Sequence, residues 1–298
     1  MQTWSRPKQT PTSERAGVRF GPVGAHTSRT MMLAELADLL EAVPARPVHR
    51  GAEAMSATLS ATPPPAPSLP PGSLPSRADY LRAVLEDNAL GKGTAASRRI
   101  TLQRLSELYG LDPMLGAFRV LRRLWEIDPP GRPLLALLCA LARDPLLRAT
   151  ADVVLPLVVG AELPRVAMLE ALAGADDLRD AAGSQTETRF NAAILDKVAR
   201  NAASSWAQSG HLHGRVRKVR RAVAPTPGSA AFALWLGSLE GLAGDYLLTT
   251  LWAAALDATP NRLFDCALEA KQLGLLRVVA GGGVREIDVS GLDPAENR

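Results

Sequence analysis

Proline sets the layout of this chain. The stretch TPPPAPSLPPGSLPS carries seven prolines between residues 63 and 75. Each proline fixes φ and removes an N–H donor, so neither a helix nor a central strand runs through it. Its composition is that of a stiff, extended linker. Further on, Pro133, Pro145 and Pro164 stand singly, each where a first-turn proline starts a helix. The expectation is a disordered tail with a Pro-rich linker over 1–76, then a chain of short helices. Within the tail, MMLAELADLLEAV (31–43) forms one amphipathic island, a helix that is marginal on its own.

Apolar residues make up 47% of the 298 positions but aromatics only 4%. The core must therefore be built from Leu, Ala and Val, which favours helices. DYLRAVLEDNAL (79–90) reads as one helix, Ser97 as the cap of the next at 98–109. After Asp112-Pro113, residues Leu115, Phe118, Leu121, Leu124 and Trp125 recur at helical spacing. A helix from about 189 to 204 opens the C-terminal third. AAFALWLGSLEGLAG and DYLLTTLWAAALD follow, then NRLFDCALEAKQLG, capped by Thr259-Pro260 and ended by Gly274. LLRVVAGGGVREIDV closes the series with two β-type runs around Gly281–Gly283, a hairpin signature. Helix, helix and hairpin is the layout of a winged helix. The expected fold is all-α: a multi-helix bundle over 77–188 and a winged-helix-like region over 189–298 with one short β-hairpin.

Several functions are disfavoured. Cys139 and Cys266 lie far apart in apolar contexts, as reduced thiols of a cytoplasmic protein do. The N-terminus lacks the charge, apolar run and cleavage site of a signal peptide. The apolar runs 133–142 and 153–161 fall short of a bilayer span, and the uncharged run 222–239 begins with the turn residues APTPGS. No membrane is expected. Gly91-Lys92-Gly93-Thr94 fails as a phosphate loop, because Gly93 separates Lys92 from Thr94 and Glu86 stands where the first glycine belongs. His211 and His213 share one face of a strand but lack a nearby Cys, Asp or Glu. The acidic trio Asp176, Asp177 and Asp180 lacks catalytic partners. No nucleophile elbow or dinucleotide-binding glycine pattern occurs. The chain is read as a non-enzyme without cofactor or metal.

Charge is the informative feature. Net charge is only +4. Yet residues 170–188 hold five acidic residues against one basic, and 189–221 hold eight basic residues against Asp196 alone. A local basic patch is what an anionic partner senses. Lys197, Arg200, Arg215, Arg217, Lys218, Arg220 and Arg221 are candidate phosphate contacts, since Lys and Arg neutralise phosphates and release counterions. Ser204, Ser205 and Gln208 are candidate positioning contacts. In this reading Ser204, Ser205 and Gly210 turn the chain and Trp206 packs its ring while its indole N–H points outward. Lys92, Arg98 and Arg99 form a secondary set at a helix-capping loop.

LEDNALGKGTAASRRITLQRLSELYGLDP (85–113) and LDKVARNAASSWAQSGHL (195–212) together resemble the BrxA family, helical accessory proteins of BREX phage-exclusion systems. The first holds an N-x-L-x-K segment, Ser-Arg and a helix; the second a helix, a turn and G-x-L. The resemblance spans about 77–221; the N-terminal tail and residues 222–298 depart from the family. It implies a helical fold like that of the NusB antitermination protein, ending in a winged-helix-like element. It also implies double-stranded DNA as ligand and other phage-defence subunits as partners. Two rival readings stand beside it: a scaffold subunit that docks an acidic partner, and a NusB-like RNA binder, the latter by analogy of fold alone.

Overall fold

Hydroxyl and carboxyl caps open most of the helices. The computed structural model describes residues 7–20, 30–44, 75–181, 190–281 and 284–293. Thr10 caps α1 (Pro11–Arg15), and α2 (Leu33–Ala42) follows. Ser76 and Asp79 form a capping box at α3 (Arg77–Leu85), as Thr94 and Ser97 do at α4 (Ala95–Tyr109). Next come α5 (Gly116–Ile127), α6 (Arg132–Arg143) with Pro133 in its first turn, and α7 (Pro145–Ala149), capped by Asp144. Then follow α8 (Ala151–Val154), α9 (Arg165–Ala181) directly after Pro164, and α10 (Ala192–Gln208), capped by Asn191. Strands β1 (Leu212–His213) and β2 (Val219–Arg220) lead to α11 (Pro227–Ser238), α12 (Leu251–Ala254) and α13 (Pro260–Gln272), with threonine caps Thr226, Thr250 and Thr259. β3 (Arg277–Gly281) and β4 (Val284–Asp288) pair antiparallel, Arg277 opposite Asp288.

Helices α6 and α11 lie at the centre. Every residue from Leu134 to Arg143, and from Gly228 to Gly237, is buried. A helix apolar on all sides belongs inside a protein core or a membrane, and packing decides between the two. α6 is covered by α4, α5 and α11; α11 is covered by α5, α6 and α13. No helix among the described residues is long and apolar enough to cross a membrane. One apolar cluster runs from Ala16 to Leu292, so residue 189 marks no break in the core.

The chain is mostly helical, as its composition implies. The local readings need three corrections. Ser97 is not the cap of α4; Thr94 is, three residues earlier, with Ser97 answering it. Ser204 and Ser205 do not turn the chain, because α10 continues through both to Gln208 and Gly210, at φ +93°, makes the turn. The described residues hold two antiparallel ribbons rather than one, because Leu212 pairs with Arg220 and His213 with Val219. The Gly281–Gly283 turn lies partly outside the described residues; Gly281 itself ends β3.

The largest correction concerns 1–76. Residues 45–74, with nearly all of the proline stretch, lie outside the described residues. Segments 7–20 and 30–44 instead cross the bundle as a strap with Val18, Phe20, Met31, Leu36, Leu39 and Leu40 buried. Buried guanidinium groups hold it. Arg143 donates to the carbonyls of Gly17, Glu107 (3.0 Å) and Ser106 (3.4 Å). Arg148 donates to Phe20 O (3.0 Å) and Leu141 O (2.7 Å). Arg122 donates to Leu40 O (3.1 Å) and Val43 O (3.0 Å), closing the end of α2. Backbone bonds from Arg19 N to Ala142 O (2.8 Å) and from Ala117 N to Ala16 O (2.9 Å) complete the seam. Composition misled here: the prolines and polar residues around 31–43 mask a segment whose anchoring bonds to Arg122, Arg143 and Arg148 come from 79 or more positions away.

Hydrogen bonds from a charged donor contribute about 1.5–3 kcal/mol each, and carbonyls left buried without a donor cost more. Arg143→Ala should therefore lower stability by about 3 kcal/mol. Urea unfolding checks this through a lower midpoint at nearly constant slope; an unchanged midpoint contradicts the role assigned to Arg143.

Candidate nucleic-acid interface

The basic segment divides into residues that face solvent and residues that face the core. β1 and β2 form a short hairpin whose loop, Gly214–Lys218, is its tip. Gly214 has φ +97°, and a Cβ there would collide with the Arg217 carbonyl, so the loop requires glycine. Lys218 Nζ donates to Gly214 O (2.7 Å) and His213 Nδ1 to Val219 O (3.1 Å), closing the loop on itself. Arg215 and Arg217 are exposed, and Val216 between them is 92% exposed.

A third backbone flanks β2. Gly160 N donates to Arg220 O, Arg220 N to Ala161 O and Leu163 N to Lys218 O, with Glu162 opposite Val219. This strand ends at Pro164, and α9 starts beside the tip. Arg165, 72% exposed, reaches from there to Asp196 on α10, and Arg200 meets the same carboxylate at 3.4 Å. Arg165 and then Arg200 hold the Asp196 carboxyl below its usual range. Lys197 and Arg200, three residues apart, share the outer face of α10. The chain of bonds from Lys218 through Leu163 and Arg165 to Asp196 thus joins the hairpin tip to the cations of α10. Sequence reading missed Arg165, because its partner lies thirty-one positions away.

The base of the hairpin is buried. Arg220 is 3% exposed, contrary to its expected place on the surface. It pairs with Asp257 and donates to Val154 O (3.1 Å) and to Arg221 O. Asp257 also accepts from Val223 N (3.0 Å). His211 is buried between Ser209 Oγ (2.8 Å from Nδ1) and Ala255 O (3.0 Å from Nε2), edge-on to Trp206 at 4.9 Å. The carbonyl can only accept, so Nε2 carries the proton. His213 lies outside, so the two imidazoles do not share a site. The Trp206 indole N–H points inward, not outward, to Thr150 Oγ1 (2.8 Å).

Ser205 and Gln208 are also withdrawn. Ser205 Oγ accepts Met31 N (2.9 Å) and Gln208 Oε1 accepts Leu33 N (2.9 Å), so both hold the strap. Ser204 is half-buried, and Arg221 is exposed. In the secondary set Lys92 pairs with Glu35 at 3.2 Å and Arg98 donates to Leu85 O (2.9 Å); Arg99 is exposed. Lys92 and Arg98 therefore bind their own chain. Around the hairpin and α10 the outward cations are Arg165, Lys197, Arg200, Arg215, Arg217 and Arg221.

On the C-terminal unit charge is balanced. The exposed positions of α13 include Arg262 and Lys271 but also Asp265 and Glu269, and Arg285 lies over Phe264 at 4.6 Å. Cys139 and Cys266 are free and buried, and burial pushes the Cys139 thiol up to about 12. No group of three or more metal-binding side chains occurs among the described residues. Comparison with family models, curated proteins and solved structures finds no match to this chain.

The buried imidazole makes stability depend on pH. Burial lowers the His211 pKa to about 4; Asp257 opposes this shift and Arg220 adds to it. The unfolded chain therefore binds a proton near pH 6.5 that the folded chain refuses. Stability should hold above pH 6.5 and fall toward pH 4 by about 1.4 kcal/mol per unit. Urea titrations at several pH values check this slope, which should flatten in His211→Gln.

Proposed function

We propose that this chain is a non-enzymatic accessory protein that binds double-stranded DNA through the β1–β2 hairpin and the neighbouring face of α10. The observation that carries the reading is the hairpin tip. It sets Arg215 and Arg217 in solvent on a loop closed by its own hydrogen bonds, above a base fixed by Arg220 and His211. A rigid cationic loop loses little entropy when it meets phosphates, and released counterions supply the affinity. Arg165, Lys197 and Arg200 extend the surface along α10. Within this reading, α11–α13 with β3 and β4 act as a winged-helix-like unit with a packing role, because the exposed charges of α13 cancel. A NusB-like bundle and a place among the subunits of a BREX phage-exclusion system rest on the resemblance to BrxA in residues 85–113 and 195–212.

One observation favours a second reading. Val158 and Val159, in the turn before residues 160–163, and Val166 on α9 are exposed beside the hairpin, where phosphates reward no apolar contact. A scaffold that docks an acidic protein partner would use both valines and arginines.

Replacing Arg215 and Arg217 by Glu should weaken binding to a random-sequence duplex by about tenfold or more and make the salt dependence shallower. The melting temperature should stay within about 2 °C, since solvated cations add little to stability. If the parent protein does not bind duplex DNA at low salt, the scaffold reading replaces this one. If single-stranded RNA displaces the duplex efficiently, the ligand is RNA.

A further inference from the structure

We infer that the hairpin tip enters the minor groove of A·T-rich duplex DNA, with Arg215 and Arg217 as the reading side chains and Val216 as an apolar wedge. The inference rests on the duplex-binding reading above and adds which groove, and which base pairs, the tip accepts.

Width is the first argument. A free two-stranded ribbon fits the major groove, about 12 Å wide. This hairpin is not free, because residues 160–163 occupy the outer edge of β2. Three backbones at a spacing of about 4.8 Å span about 10 Å before any side chain is added. The ribbon body therefore stays outside the groove, and only the five-residue tip projects.

The chemistry of the tip is the second argument. In the major groove an arginine also pairs with the acceptors O6 and N7 of guanine, so the donors of the tip leave the choice of groove to the width of the ribbon. Arg215, Val216 and Arg217 offer guanidinium donors and a hydrocarbon, with no acceptor side chain among them. The minor-groove edge of an A·T pair presents acceptors only, adenine N3 and thymine O2. Its narrow form also concentrates negative potential that draws arginine in. Lys218 is unavailable for this purpose, being bound to Gly214 O.

Exposure of Val216 is the third. A side chain 92% exposed contributes nothing to the core. Minor-groove proteins insert apolar side chains between base steps as wedges that unstack the step and bend the duplex. The loop closed at Gly214 leaves this valine in solvent, and the exposed Arg165, Lys197 and Arg200 supply cations for flanking phosphates.

Inosine separates the grooves cleanly. An I·C pair lacks the guanine N2 amino group, so it resembles A·T in the minor groove and G·C in the major groove. Fluorescence anisotropy should be measured with three duplexes of equal length whose central steps are A·T, G·C or I·C. The expected result is that A·T and I·C bind alike, roughly tenfold tighter than G·C. Arg215→Lys with Arg217→Lys keeps the charge and should reduce that preference to under about threefold, leaving the salt slope intact. If I·C binds like G·C, the tip reads the major groove and the inference fails. If all three bind equally, it fails while duplex binding stands. If none binds, the duplex reading fails and takes this one with it.

Discussion

A guanidinium group buried against backbone carbonyls is the interaction on which the rest of this structure depends. Arg122, Arg143, Arg148 and Arg220 are all nearly inaccessible to solvent, and each donates to carbonyl oxygens at the ends of helices or strands. Such carbonyls have no partner within their own element. The planar fork of donors lets one arginine satisfy carbonyls from distant segments at once. In a core with few aromatics, these groups also fill volume. Burial lowers the Arg143 pKa only to about 10, so it remains charged at neutral pH, and the carbonyl dipoles around it offset the loss of water.

The same interaction explains why a basic hairpin can be rigid. A segment with five cations between Arg215 and Arg221 repels itself and gains little from packing. Arg220 removes one of those charges into the interior, where Asp257 meets it. His211, neutral because it is buried, fixes the other strand against Ala255 and Trp206. The buried residues His211, Leu212 and Arg220 lie at the base of the hairpin and the exposed residues 213–217 toward its tip, so one ribbon both anchors the fold and presents Arg215 and Arg217 to solvent. Function and stability are thereby assigned to neighbouring residues of one type.

How much of this could be read in the sequence follows from range. Local signals carried through: Thr259-Pro260 opens α13, Pro145 starts α7, Leu115 precedes α5, and Phe118, Leu121, Leu124 and Trp125 form its buried face. The hairpin at 277–288 was visible because period-two runs and glycine are local too. Non-local signals were lost. Nothing near Ser205 says that it will accept Met31 N, and nothing near Gly17 announces Arg143. The strap therefore read as a tail with one marginal helix at 31–43. At the candidate site the charge count marked the segment but could not sort its residues. Arg217 and Arg220 are the same residue three positions apart, and only the partner of each, solvent or Asp257, tells them apart.

That sorting is the central claim, and the salt dependence of duplex binding tests it most directly. The outward set holds Lys197, Arg215, Arg217 and Arg221, with Arg165 and Arg200 sharing Asp196 and counting together as about one more charge. Five neutralised phosphates give a slope of about −4.5 in log K against log salt concentration. A slope near −7, as though all eight basic residues of 189–221 met the DNA, would contradict the division into inward and outward arginines, and so would a slope near zero.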